Sequence, residues 1–178
     1  KGLEDTAFYI FNRLISLNEV GGFPERFGVS IREFHEQVSQ RASQWPHTMN
    51  TTSTHDTKRG EDVRARINVL SEIPEEWERH LRSWSKINSR NRLRVRGHWV
   101  PGRNEEYFLY QTLLGTFPFA LDEVPLFVKR LKEFCVKAIR EAKVHTAWLK
   151  PDEEHEQAFL SFVDRVLDPS PENDFLRS

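Results

Sequence analysis

Apolar residues recur at the spacing of a helix face along almost the whole chain, and helix-ending residues separate one stripe from the next. Residues three and four apart lie on the same side of a helix, so each stripe predicts a helix that buries one face. The seven stripes are, in chain order, Ala7, Ile10, Phe11, Leu14 and Leu17; Phe34 and Val38; Val63, Ile67 and Leu70; Trp77, Leu81, Trp84 and Ile87; Tyr107, Tyr110, Gln111 and Leu114; Val124, Phe127, Val128, Leu131, Cys135 and Ala138; and Phe159, Phe162, Val163 and Val166. This pattern predicts a mainly α fold with at most one or two short strands.

Residues that favour helix ends mark the boundaries of these predicted helices. Ser30 and Glu33 have the spacing of a capping box, and Asn104 is the predicted cap of the fifth helix. Pro74 and Pro151 stand where a first helical turn accepts proline. The predicted stops are Gly21-Gly22, Trp45-Pro46, Gly115 with Pro118, and Pro169 with Pro171.

One polar segment interrupts the helical pattern. Residues 54–64 read Thr-His-Asp-Thr-Lys-Arg-Gly-Glu-Asp-Val-Arg and follow residues 49–53, whose composition favours a short extended segment. His55 and Asp56 are therefore predicted at the C-terminal tip of a strand, where parallel α/β architectures collect their chemistry. The same residues also suit a helix start, because Asp56 or Thr57 could cap the helix that follows. An active-site loop and a capping region both stay open at this point.

Charge and cysteine content narrow the classes of protein to consider. The net charge is −1 with 30% charged residues, so no overall field favours nucleic acid or a membrane surface. The single cysteine, Cys135, cannot form an internal disulfide, and its apolar neighbours predict a buried, unreactive thiol. No His-Glu-x-x-His pair occurs, so neither a metal nor a cofactor is expected. Without a signal-peptide pattern or an apolar run of about 18 residues, the sequence predicts a cytoplasmic protein.

A basic stretch and several tryptophans are weaker functional signals. Four arginines alternate beside Trp99, a pattern that can contact nucleic acid: Arg90, Arg92, Arg94 and Arg96. The near-zero net charge and the lack of a nucleic-acid-binding motif favour a solvated loop instead. Four other tryptophans could stack on sugar rings, but most fit helical stripes or helix ends and are expected in the core: Trp45, Trp77, Trp84 and Trp148.

The polar segment and several others resemble one enzyme family. Residues 54–66 closely resemble a signature of the maltooligosyltrehalose synthases, which are members of the α-amylase superfamily. Further segments resemble the same family in the same order: residues 1–9, 17–22, 27–30, 110–115 and 140–143. Several long matches in register are far more specific than one short motif.

The resemblance implies that the chain is an internal segment of a longer enzyme. Family members contain a (β/α)8 barrel with added domains, and 178 residues is below the usual barrel size of about 250. The implied segment runs from about the sixth barrel strand through the seventh and into a helical region. Residues 1–62 are then barrel-derived, with a strand near residues 49–55, and residues 63–178 are the helical region.

The resemblance also implies roles for individual residues. Retaining glycosidases use a nucleophilic carboxylate and a general acid, and the α-amylase superfamily adds a third acidic residue. Asp56 is implied to be this third carboxylate, which stabilises the transition state. The implied substrate-binding residues are His55, Lys58, Arg59 and Lys1, with Glu4 and Asp5 as supports. The family's nucleophile and general acid lie upstream of Lys1, so the chain alone is expected to be inactive.

For the intact enzyme, the resemblance implies an isomerase that converts the reducing-end α-1,4 bond of a maltooligosaccharide to an α,α-1,1 bond, which forms trehalose units. Its implied partners are the maltooligosaccharide and the rest of the parent chain, and exposed apolar faces suggest self-association of the segment. The alternative is a non-catalytic, all-helical interaction module, because amphipathic helices with one polar loop also describe an ordinary domain. An ordered strand that presents Asp56 to a crevice would favour the enzyme.

Overall fold

The computed structural model describes residues 2–178, so Lys1, a predicted substrate-binding residue, lies outside the described residues. The described chain is mainly helical, as predicted. Its helices are α1 (Gly2–Ile10), α2 (Ile31–Gln44), α3 (Glu61–Asn68), α4 (Pro74–Asn88), α5 (Arg103–Thr116), α6 (Val124–Ala142), α7 (Glu153–Val166) and α8 (Asp174–Arg177). Two short strands, β1 (Leu93–Val95) and β2 (His98–Val100), form an antiparallel hairpin. Short 3-10 turns lie at Ile15–Leu17, Val69–Ser71, Ser89–Asn91 and Leu121–Glu123.

The hydrophobic core forms between α5, α6 and α7, with further contributions from α3 and α4. Leu109 of α5 and Phe159 and Phe162 of α7 are fully buried there. Cys135 of α6 is also fully buried, and burial raises the pKa of its thiol to about 12, which agrees with the predicted unreactive cysteine. Ile15, from the first predicted segment, joins the same core. Residues from both predicted segments, 1–62 and 63–178, therefore contribute to one core.

Helices α3, α4, α6 and α7 confirm the stripes predicted for them. Their predicted inward positions are buried or half-buried, and Pro74 occupies the first turn of α4. Asp152 caps α7 by accepting a hydrogen bond from the His155 N–H at 3.1 Å. Of the four tryptophans considered above, Trp77 and Trp84 pack in or against the core, whereas Trp45 and Trp148 are exposed.

The first predicted helix is shorter than its stripe. Helix α1 ends at Ile10, and Leu14 is already extended. The cause is Asn18, whose side-chain amide donates to the carbonyls of Phe8 and Phe11, both at 2.8 Å. These bonds satisfy helix-end carbonyls and hold the chain in a return loop instead of a further helical turn.

Helix α2 has the predicted capping box but not the predicted buried face. The Ser30 hydroxyl accepts from the Glu33 N–H at 3.2 Å, and the Glu33 carboxylate accepts from the Ser30 N–H at 2.9 Å. Phe34 and Val38, predicted to face inward, are 55% and 37% exposed, and α2 buries no residue. The amphipathic pattern predicted the helix correctly. However, no other described element covers the apolar face of α2.

The strand content lies elsewhere than predicted. Residues 49–55 form no strand, whereas the stretch with alternating arginines forms the β1–β2 hairpin around Arg96 and Gly97. Both turn residues have positive φ, as a two-residue type I′ hairpin turn requires. The predicted loop at residues 90–96 is therefore wrong for Leu93–Val95, which form β1, although Arg96 is solvated as predicted, with 67% of its side chain exposed. Arg92 donates to the Pro101 carbonyl at 2.7 Å, and Arg96 pairs with Asp152 at 2.8 Å.

Helix α5 begins and ends differently from its prediction. Its N-cap is Gly102, and the Asn104 amide instead donates to the Ile10 carbonyl at 3.0 Å, which ties α5 to the end of α1. Gly115 lies inside the helix and faces α3. A Cβ added at Gly115 would lie 2.9 Å from side-chain atoms of both Ile67 and Val63. Glycine is thus needed here for the close approach of two helices, and it does not act as a helix stop.

Candidate active-site loop

Residues 54–60 form a turn that leads into α3. The Thr57 N–H and hydroxyl both donate to the Thr54 carbonyl, at 3.2 and 2.7 Å. The Thr54 hydroxyl accepts from the Asp56 N–H at 3.2 Å. These short-range bonds give the loop a defined turn without help from a strand.

His55 and Asp56 lie at the exposed tip of this turn. Their side chains are 92% and 57% exposed, and the His55 ring nitrogen lies 3.7 Å from the Asp56 carboxylate. The predicted strand tip facing a crevice is not found. The capping interpretation is also wrong, because the N-cap of α3 is Gly60 and no side chain caps it. The chain therefore holds Asp56 in a turn that is open to solvent.

Lys58 and Asp5 form a half-buried ion pair beneath this tip. The Lys58 ammonium donates to the Asp5 carboxylate, which joins the loop to the first turns of α1. Burial lowers the pKa of the Lys58 amine, but its hydrogen bond and charge pairing with Asp5 outweigh burial and leave that pKa raised. The structure thus brings together two residues that are 53 positions apart, the predicted substrate-binding residue Lys58 and its predicted support Asp5.

Arg59 points into the protein, in contrast to its neighbour. It is 8% exposed, and its guanidinium donates to the Ile15 carbonyl at 3.0 Å and lies over the Phe108 ring at 5.8 Å. Burial lowers the pKa of Arg59 to about 10, so the side chain stays charged at neutral pH. Such a buried cation anchors the loop to the core.

Glu19 connects the loop to the turn after α1, and it was not among the predicted site residues. Its two carboxylate oxygens accept from the backbone N–H groups of Lys58 at 2.7 Å and Arg59 at 3.3 Å. The Arg64 guanidinium lies 3.3 Å from the same carboxylate. The one sequence signal for Glu19 was its place in the matching segment 17–22, which did not indicate its partners.

Glu4 lies beside this assembly without contacting the loop. Its carboxylate accepts from the Gly21 N–H at 3.2 Å, so it braces the turn that carries Glu19. Gly21 has a φ of 75°, a left-handed conformation that glycine adopts without strain. Of the predicted site residues that the structure describes, Lys58, Arg59, Asp5 and Glu4 are thus gathered at one junction, while His55 and Asp56 project from it.

A cleft of about 330 Å³ lies beside Lys58 and Arg59, between the start of α3 and the helices α5 and α6. Thr112, Phe127 and Phe134 contribute to its walls, and Arg130 adds a further cation. Within residues 2–178, no three His, Cys, Asp or Glu side chains come together as metal ligands. In the same stretch, no helix has the length and apolarity needed to cross a bilayer.

Known proteins with similar sequences and structures carry the names of trehalose synthases. A protein of Mycobacterium tuberculosis (strain H37Rv) that is named as a maltooligosyl trehalose synthase is 43% identical over 168 residues, which is 94% of this chain and 21% of that protein. The chain thus spans about a fifth of the length of the curated relatives that it matches. No protein-family model matches the chain.

Solved structures agree with this class. A maltooligosyl trehalose synthase of Sulfolobus tokodaii is 39% identical with a TM-score of 0.82, and a glycosyltrehalose synthase designated DSM5389 is 46% identical with a TM-score of 0.79. Each comparison covers 98% of this chain and 22% of the solved chain. The resemblance to maltooligosyltrehalose synthases is therefore confirmed, and this helical chain corresponds to one segment of such an enzyme.

Proposed function

We propose that this chain acts as part of a maltooligosyltrehalose synthase, an isomerase that converts the reducing-end α-1,4 linkage of a maltooligosaccharide to an α,α-1,1 linkage. The observation that carries the proposal is the 43% identity over 168 residues, a span that includes residues 54–66, which resemble a sequence signature of the family. The reaction is a retaining intramolecular transglucosylation, in which a carboxylate attacks the anomeric carbon and the released glucose is rejoined through its own anomeric hydroxyl.

Within this reaction, Asp56 is the third acidic residue, which binds hydroxyls of the reacting sugar and favours its distorted transition state. His55 is a hydroxyl ligand beside it. Their shared exposure at the tip of the loop supports these roles, because a ligand can reach both side chains. Lys58 holds the released glucose, and Asp5 orients the Lys58 ammonium through their ion pair.

The remaining proposed residues act from the base of the loop. Arg59 anchors the loop through the Ile15 carbonyl, so its part in binding is indirect. Glu4 supports the same region through the Gly21 N–H. Lys1 keeps its proposed role in holding glucose, which rests on the family resemblance alone.

The catalytic nucleophile and the general acid are proposed to lie in other parts of the longer enzyme. Residues 1–62 then form the barrel-derived segment and residues 63–178 the helical region. The exposed tip at Asp56 and the uncovered apolar face of α2 support this arrangement, since both need neighbouring protein to form a closed site. The chain alone is inactive in this proposal, and its uncovered apolar residues favour self-association. We also propose a cytoplasmic location and no nucleic-acid or membrane partner.

A non-catalytic helical interaction module is the second candidate. The exposed apolar side chains of Ile31, Phe34 and Val38 on α2 favour it, because they form a stripe that suits a helical or grooved partner. The absence of a crevice around Asp56 within the described residues also fits this alternative. It does not account for the match to a synthase across the signature and both flanking regions.

The test is an activity assay with the longer polypeptide and with the chain alone. Incubated with maltopentaose, the longer polypeptide should release a non-reducing product that ends in trehalose, whereas the chain alone should yield neither this product nor glucose. A heat-inactivated sample is the control. If the longer polypeptide left maltopentaose unchanged, or if the chain alone turned it over, the proposed function would be wrong.

A further inference from the structure

The active-site loop is held from below by one carboxylate. Glu19 accepts from the Lys58 N–H at 2.7 Å and the Arg59 N–H at 3.3 Å, using a different oxygen for each. Lys58 and Arg59 follow directly after the loop tip that carries His55 and Asp56. A carboxylate that bridges two successive backbone N–H groups fixes both peptide planes, and charge-assisted bonds of this kind are roughly twice as strong as neutral ones.

The same carboxylate is tied to a guanidinium that holds the other end of the loop. Arg64, in α3, lies 3.3 Å from a Glu19 oxygen and donates to the Arg59 carbonyl at 2.7 Å. It also donates to the Thr52 carbonyl, which precedes the loop. Both charged side chains are about one fifth exposed, at 20% for Glu19 and 19% for Arg64, so water screens their attraction only in part.

We propose that the Glu19–Arg64 ion pair is a positioning clamp for the loop of residues 54–60. The Glu19 carboxylate accepts from the backbone N–H groups of Lys58 and Arg59. The Arg64 guanidinium donates to the backbone carbonyls of Thr52 and Arg59. The clamp sets where Asp56 and the Lys58 ammonium stand relative to the sugar. The effect of the clamp on the sugar rests on the proposed function. The clamp itself consists of hydrogen bonds and an ion pair within this chain.

The geometry distinguishes a clamp from an ordinary surface ion pair. Glu19 offers two acceptor oxygens to four N–H donors, which are the backbone N–H groups of Val20, Lys58 and Arg59 and the Arg64 guanidinium, whereas a glutamine at this position has only one acceptor oxygen. The glutamine NH2 group is itself a donor, and it would face the N–H donors on Arg59 or Arg64 without forming a hydrogen bond to them. Glu19→Gln therefore breaks the clamp with almost no change in side-chain volume. Arg64→Lys keeps the positive charge but loses the planar group that reaches two carbonyls and a carboxylate together.

The first experiment measures backbone hydrogen exchange by NMR on this chain. We expect the Lys58 and Arg59 amides to exchange about tenfold faster in Glu19→Gln, while α5 amides are unchanged. Glu61→Gln is the matched control, since Glu61 is an exposed carboxylate next to the loop with no hydrogen bond to loop backbone in the described structure. Unchanged exchange at Lys58 and Arg59 in Glu19→Gln would overturn the clamp.

The second experiment measures product partition in the longer polypeptide. We expect Glu19→Gln and Arg64→Lys to lower kcat/KM for the trehalose-ended product by about a hundredfold, because small misplacements of reacting groups have effects of this size. The share of free glucose should rise in both variants, since a misplaced Lys58 holds the glucose less well. A purely structural role would lower the melting temperature without changing this share.

The two proposals fail in different ways. If the unsubstituted longer polypeptide gives no trehalose-ended product, the proposed function is wrong, whatever the exchange data show. If it gives that product and Glu19→Gln gives the same rate and the same share of free glucose, the clamp alone is overturned. Glu61→Gln should match the unsubstituted protein in both measurements.

Discussion

Neighbouring charged residues of the loop have opposite environments. Asp56 is 57% exposed, whereas Arg59, three positions later, is 8% exposed and donates into the core. The sequence shows only a dense run of ionisable residues. The difference in burial gives Arg59 and Asp56 different roles. The buried Arg59 guanidinium fixes the loop to the core, and the exposed Asp56 carboxylate stays available to a ligand.

Replacing Asp56 tests its proposed catalytic role at the scale of one residue. Asp56→Asn keeps the size of the side chain but removes the charge that we expect to matter chiefly in the transition state. In the longer polypeptide, kcat should fall by at least about a hundredfold. The melting temperature should change little, since the Asp56 side chain is mostly exposed.

The comparison variant for Asp56→Asn is Asp62→Asn. Asp62 lies in the first turn of α3, where its negative charge interacts favourably with the helix dipole, so its loss should lower the free energy of unfolding by about 0.3–1 kcal/mol and leave kcat unchanged. Steady-state kinetics and thermal melts on both variants supply the measurement. A near-normal kcat for Asp56→Asn together with an early melt would show that Asp56 supports the fold and not the reaction.

Among the structural elements, the close contact between α3 and α5 depends on Gly115, which has no side chain. Gly115→Ala places a Cβ 2.9 Å from the Ile67 Cδ1 and Val63 Cγ1 atoms. Overpacking costs about 1–3 kcal/mol, and the better helix propensity of alanine offsets about 1 kcal/mol of this. We expect a net loss of about 1 kcal/mol in the free energy of unfolding, measured by urea denaturation.

The double variant with Ile67→Val makes this prediction specific. Ile67→Val removes the Cδ1 atom, one of the two atoms that lie 2.9 Å from the new Cβ, so Gly115→Ala should cost less in that background than in the unsubstituted chain. Equal costs in the two backgrounds would show that the contact with Ile67 Cδ1 does not cause the loss of stability.

Helix periodicity predicted most elements correctly, because a stripe at helical spacing records which residues can share a face. It could not show where a tertiary contact ends a helix. Asn18 stops α1 through bonds to Phe8 and Phe11 that no local pattern reveals. It also could not show whether a face finds a partner, and Phe34 of α2 does not find one in the described chain.

The hairpin and the site show a second limit of reading one sequence. Apolar Leu93 and Val95 alternate with arginines ahead of the Arg96-Gly97 turn, a period-two signal that a basic composition obscured. The loop at residues 54–60 was located correctly, and the ion pair of Lys58 with Asp5 joins two residues assigned to the site. Glu19 was missed, because its partners lie 39 and 40 positions away along the chain.

In the molecule as a whole, a network of charges joins α7 to α5 and α6. Glu156 of α7 is buried and accepts from the Arg140 guanidinium at 2.6 and 2.8 Å, and from the Thr146 hydroxyl at 2.5 Å. His155 lies 2.8 Å from the Glu105 carboxylate of α5. The core side chains of α7 pack between these polar contacts, so the network fixes how the last long helix docks.

The pKa values of three carboxyl groups in this network are all lowered. Hydrogen bonds from Arg140 lower the pKa of Glu156, and the backbone N–H of His155 lowers the pKa of Asp152. Burial raises the pKa of Glu105, but the hydrogen bond and charge of His155 outweigh burial and leave that pKa lowered. In the folded chain these groups therefore bind fewer protons than in the unfolded chain at mildly acidic pH.

The final prediction concerns acid stability of the whole chain. Because the folded pKa of Glu156 lies below its ordinary value of 4.5, its stabilising effect is present above pH 4.5 and is lost as the pH falls through the lowered value. Glu156→Gln should lower the melting temperature by about 4 °C at pH 7, and this difference should shrink progressively as the pH falls below 4.5, because protonation of Glu156 in the unsubstituted chain removes the same interaction. Asp164→Asn, which removes an exposed partner of Lys132, should cause a smaller change. Thermal melts at pH 7, 5, 4 and 3 supply the measurement, and a difference that stayed constant with pH would show that Glu156 acts through packing and not through its charge.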